Sequence, residues 1–104
     1  MKYTFIFDDR IELDMPVIYV PVEQWDQEET AAFFEKTQGI TSQIPAKIQE
    51  FDKRYMQKYE ELQHRPESFF EIMDELNELS GKISELNVLY LRIEGTFLHA
   101  GGHF

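Results

Sequence analysis

From Phe69 to Phe97 the chain repeats itself. Apolar side chains stand at Phe69, Ile72, Leu76, Leu79, Ile83, Leu86, Tyr90, Ile93 and Phe97, with gaps that alternate between three and four. The mean spacing is close to the turn of an α-helix, so one side of a helix stays apolar along its whole length. Such a stripe must be covered by something equally long. The spacing predicts a helix over 67–97, about 45 Å in length. Two features pull against it. Ser80-Gly81 interrupts the middle, where glycine costs about 1 kcal/mol relative to alanine. Residues 87–94, NVLYLRIE, are rich in β formers and alternate as a strand would. The repeat crosses both without a phase break, and this favours the helix.

The preceding segment offers a neighbour. Ile44, Ile48, Phe51, Tyr55, Tyr59 and Leu62 fall at helical spacing over 43–64. Thr41 or Ser42 serves as its cap, Pro45 sits in its first turn, and His64-Arg65-Pro66 closes it. The connection to the next helix is short, so the two form an antiparallel hairpin. This helix spans about 30 Å and the last one more, so the last is expected to have surplus length. The sheet, a short helix or a second copy of the chain would cover the excess. Upstream, Asp26 and Glu29 form the pattern of a capping box. They open a short helix at 27–37, which Gly39 is placed to end.

The first 25 residues read differently. Tyr3, Phe5 and Phe7 alternate with Thr4 and Ile6, and Ile11, Leu13 and Met15 alternate with Glu12 and Asp14. Asp8-Asp9-Arg10 is the turn between two strands. Pro16 suits an edge strand, and VIYVPV continues extended. The expected architecture is α+β in a single domain, 1–104. It comprises an N-terminal β-hairpin or small antiparallel sheet (1–25), the short helix (27–37) and a long antiparallel helical hairpin (43–64 and 67–97).

Charge narrows the partners. Twenty acids against ten bases leave a net charge of −10. Such a field opposes phosphate backbones and anionic lipid, so no nucleic acid and no membrane are expected, and a basic protein partner is favoured. The charge is uneven. Residues 1–37 hold nine acids and three bases, 67–94 seven and two, but 40–65 four and five. The middle segment can therefore lie beside either neighbour. There is no cysteine, which removes disulfides, thiolate catalysis and Cys-based zinc sites. MKYTFIFDDR reads as a strand rather than a secretion signal, and no run approaches the ~18 apolar residues of a membrane span. A cytoplasmic location is expected.

Catalytic patterns are lacking: no phosphate-binding glycine loop, metalloprotease motif or nucleophile elbow occurs. No enzymatic activity and no cofactor are expected. His64 is a helix-end residue. His99 and His103, four apart in LHAGGHF, are weak metal candidates, because Gly101-Gly102 lies between them. Glu67, Glu71, Asp74, Glu75 and Glu78 share one helix face, either as a solvated surface or as a ridge resembling DNA phosphates. Trp25 precedes a helix cap. Phe33-Phe34 and Phe69-Phe70 are adjacent pairs, and adjacent residues on a helix cannot both face one core. Trp25, Phe34, Phe70, Tyr90 and Phe97 are therefore the interface candidates. The expected function is a small acidic protein–protein interaction module (adaptor, inhibitor or chaperone-like) that self-associates through its last helix. A nucleic-acid mimic and a metal-binding protein are the alternatives.

Overall fold

The computed structural model describes residues 1–97, and for Phe97 the backbone alone. Strand β1 (Tyr3–Asp8) pairs antiparallel with β2 (Leu13–Ile18), and a 3₁₀ turn at Val22–Gln24 follows. Helix α1 (Gln27–His64) runs into a 3₁₀ turn at Pro66–Ser68 and then into α2 (Phe69–Phe97). The architecture is the expected α+β: a two-stranded sheet against a helical hairpin. The molecule is elongated, 58 × 26 × 16 Å.

The hairpin turns through a loop whose last residue, Glu12, has φ 61°. Its N–H donates to the Asp8 carbonyl at 2.8 Å, and the Arg10 N–H donates to Asp8 Oδ1 at 2.9 Å. The Asp8 side chain thus builds the turn. At the other end of the hairpin the Tyr19 N–H donates to the Lys2 carbonyl at 2.9 Å. Helix α1 starts in a complete capping box. Asp26 Oδ1 accepts from the Glu29 N–H at 2.8 Å, and Glu29 Oε1 accepts from the Asp26 N–H at 3.0 Å.

The short helix and the first arm of the hairpin are one continuous helix of 38 residues, about 57 Å, passing through Gly39 and Pro45. This corrects the expected break at 38–42. Two physical reasons account for it. The buried stripe Phe33, Thr37, Ile40, Ile44 and Phe51 crosses the junction without losing phase. Side chains also bond the carbonyls around it: Thr41 Oγ1 donates to Gln38, and Ser42 Oγ and Gln43 Nε2 both donate to Gly39.

Helix α2 is the shorter arm, 29 residues or about 43 Å, so the expected surplus of the last helix does not exist. Residues 87–94 are helical. The apolar stripe is buried at Ile72, Leu76, Leu86 and Ile93 and half-buried at Leu79 and Ile83. Beyond Leu86 it steps sideways: Leu89 is 1% exposed, whereas Tyr90 is 41% exposed. There α2 packs on both Ile40 and Ile44 of α1 and Ile11, Leu13 and Met15 of the β-hairpin, which draws the buried face round by one residue. A second cluster gathers Val22, Trp25 and Phe33 with Tyr3, Phe5, Val20 and Phe34. It fastens the N-terminal turns of α1 to β1.

Candidate functional site

The two arms of the helical hairpin present different flanks. On one, Arg54, Gln57, Lys58 and Glu61 of α1 line a groove with Glu75, Glu78, Leu79 and Lys82 of α2. Lys58 Nζ lies 2.7 Å from Glu75 and 3.0 Å from Glu61, so it ties the arms together. The Glu75 and Glu61 carboxylates hold the Lys58 ammonium above its ordinary value, and Lys58, then Arg65, holds Glu61 below its own. Lys47 of the base-rich middle meets Glu12 at 3.5 Å, and Arg10 of the hairpin turn meets Glu85 of α2 at 3.1 Å.

The acidic stripe lies along this flank. Glu67, Glu71, Asp74, Glu75 and Glu78 are exposed, but Arg54, Lys58 and Lys82 stand beside its C-terminal part. The sequence alone gives no hint of Arg54 and Lys58 there, because they come from the other helix; only Lys82 belongs to the helix that carries the stripe. With Glu75 engaged by Lys58, the stripe is not an unbroken line of free anions.

The opposite flank follows from the helix period. Going round each helix from the core stripe, away from the charged groove, one meets Tyr55, Tyr59 and Met56 on α1, and Phe69 and Met73 on α2, with Phe70 next beyond them on the outer face of α2, one turn before Asp74. Met56, Tyr59, Phe69 and Phe70 are exposed, Phe70 at 80%. The rings of Phe69 and Phe70 meet edge-on with centroids 5.3 Å apart. This is an apolar edge at the closed end of the hairpin, built on the first turns of a stiff helix. The adjacent phenylalanines signalled it. Met56 and Tyr59 did not, since Tyr59 reads as a core residue until Lys58 is seen to occupy the seam.

The remaining interface candidates divide. Trp25 is 8% exposed; its indole N–H donates to the Val20 carbonyl at 2.9 Å and its ring packs 5.0 Å from Phe33. It is core, because the turn at Val22–Gln24 folds it back onto β1. Phe34 is half-buried, 5.6 Å from Phe33. Tyr90 is exposed, on the part of α2 far from Phe70. The Phe97 side chain, His99 and His103 lie outside the described residues. Among the described residues no group of three or more potential ligands is arranged around a metal position, and no helix is long and apolar enough to cross a membrane.

No family model, curated protein or solved structure matches this chain. The chemistry of its surface is therefore the only guide to function. A groove of about 580 Å³ lies between the sheet and the end of α2, lined by Ile6, Phe7, Met15, Val17, Leu89, Arg92 and Thr96 among others. Asp8 and Asp9 of the hairpin turn line it as well. Among the described residues, Glu29, Lys58 and Glu61 are displaced from their ordinary values, and each owes the shift first to a hydrogen-bonded ion partner. They are surface ties between elements, away from that groove.

Proposed function

We propose that this chain is a small acidic, non-enzymatic protein–protein interaction module. It receives the apolar face of a partner helix along the edge formed by Met56, Tyr59, Phe69 and Phe70. One observation supports the reading above all: Phe69 and Phe70 are both exposed, side by side, on a helix that begins in a short tight turn. Contiguous apolar surface on a rigid element marks an interaction site, and buried aromatic rings dominate binding energy where they find a pocket. A third helix laid along this flank would meet Tyr59 of α1 and Phe69 of α2, with Phe70 at its outer margin. The acids on the opposite flank and the net charge of −10 favour a partner with basic residues around its apolar stripe.

A photo-crosslinking residue at position 70 or 59, compared with one at Lys53 on the polar side of α1, tests the reading in native extract. The expected result is one discrete protein adduct shared by positions 70 and 59, absent at 53 and lost with Phe70→Asp in a chain of unchanged helicity. Adducts that are diffuse, or the same from position 53, would remove the proposed surface.

A further inference from the structure

The sheet has one edge that is built to continue. In an antiparallel pair, residues alternate between those bonded to the partner strand and those whose backbone groups point away. The bond from the Tyr19 N–H to the Lys2 carbonyl sets the phase. With Tyr3 opposite Ile18 and Asp8 opposite Leu13, the even residues of β1 bond inward. Tyr3, Phe5 and Phe7 therefore direct their N–H and C=O groups outward. On β2 the outward residues are Asp14, Pro16 and Ile18, and Pro16 has no N–H to give. The β2 edge is interrupted and the β1 edge is not. No further strand adds to β1 among the described residues.

We propose that β1 pairs antiparallel with β1 of a second copy of this chain, with Phe5 on the two-fold axis. The occupant and register follow from the residues. Outward groups must meet outward groups, so the two positions in each facing pair must sum to an even number. A sum of ten places Lys2 opposite the partner subunit's Asp8 at each end, Tyr3 opposite the partner's Phe7, and Thr4 opposite the partner's Ile6. A sum of twelve sets Lys2 against the partner's Arg10, and a sum of eight leaves Asp8 without a facing residue on the strand. Only the register centred on Phe5 uses the whole strand and matches its charges. Lys2 already holds Glu29 at 2.7 Å, but an ammonium has three donors and can serve both acids. Asp8 has used one oxygen on the Arg10 N–H.

Pairing would extend a two-stranded sheet to four strands and bury the exposed Ile6 and Phe7 side chains. The charge of −10 on each copy opposes approach, but beyond about 8 Å it is screened at physiological salt, so the edge contacts decide. The inference adds the route of self-association to the interaction-module reading. It uses the opposite end of the molecule from the Phe70 edge, so each can fail without the other.

Light scattering on the full chain across a concentration series is expected to give twice the chain mass. Phe7→Pro removes an outward N–H together with a ring that the pairing would cover, and leaves the inward β1–β2 bonds in place. It is expected to halve that mass with an unchanged circular dichroism spectrum. Register is read separately. The chain has no cysteine, so Thr4→Cys mixed with Ile6→Cys should form a crossed disulfide in oxidant, in clear excess over either variant alone. A wild-type monomer at every concentration would overturn the inference, as would a dimer that survives Phe7→Pro or a disulfide yield indifferent to the pairing. Crosslinking from position 70 would stand unaffected in each case.

Discussion

At the scale of single residues, Phe33 carries the most. It is 0% exposed, and the rings of Tyr3, Trp25, Phe5 and Phe34 surround it at 5.0 to 5.6 Å. It is the point at which the β-hairpin is fastened to the start of α1. Phe33→Ala opens a cavity that neither element can close, and the expected loss is about 3–5 kcal/mol. A urea titration followed by Trp25 fluorescence measures it; a loss under about 1 kcal/mol would mean that the cluster is not packed as described. Glu12 offers the opposite sign. Its φ of 61° strains any residue with a β-carbon, and its exposed contact with Lys47 is long at 3.5 Å. Glu12→Gly is expected to stabilise the chain by up to about 1 kcal/mol in the same titration, and a clear destabilisation would show that the ion pair outweighs the strain. Neither residue's place was legible beforehand. Phe33 and Phe34 are indistinguishable in the sequence, because which ring faces inward depends on where Trp25 folds back. A left-handed turn residue is readable only when it is glycine or asparagine.

At the scale of elements, the two strands, the start of α1 and the last helix were legible because each rests on a local period or a local cap; the turn, expected at 8–10, runs over 9–12. The alternation of Tyr3, Phe5 and Phe7 marks β1, Asp26 and Glu29 mark the start of α1, and the heptad outweighs the β formers of 87–94. The unbroken α1 was not legible. Gly39 reads as a helix end and Thr41, Ser42 and Pro45 as the start of another, and their effect is overridden by a long-range fact, that the packed stripe from Phe33 to Phe51 needs one straight support. Gly39 then has no structural duty. It is helical and exposed, and a β-carbon there meets nothing within 4 Å. Gly39→Ala is expected to stabilise the chain by about 1 kcal/mol. In a domain of this size that raises the melting temperature by about 4–8 °C. A scanning melt would show it; a lowered midpoint would mean that the helix is kinked at Gly39 for a reason of packing.

At the scale of the whole molecule, a long thin hairpin has little interior, so ties across its surface gain weight. Lys58 is the tie between the arms, with Glu75 on α2 and Glu61 on its own helix. The Glu61 carboxyl is held below its ordinary 4.5, so its contribution is complete above that pH and fades as pH falls through the folded value. The Lys58 ammonium is held above its ordinary 10.5, so its contribution is complete below that pH and fades as pH rises through the folded value. The ion bridge is therefore intact across the neutral range. Lys58→Gln leaves two neighbouring acids facing each other without a cation. The variant should melt lower than wild type at pH 7. The gap should narrow as pH is taken down to 3 and the carboxyls take up protons, and again as pH is raised past 11 and the wild-type lysine loses its charge. Added salt at pH 7 should narrow it as well, since all three groups touch water. Paired melts over that pH range would decide the matter. A gap of constant size from pH 3 to 11 would assign the effect to the lost aliphatic stem of Lys58 lying along the hairpin groove, and not to its charge.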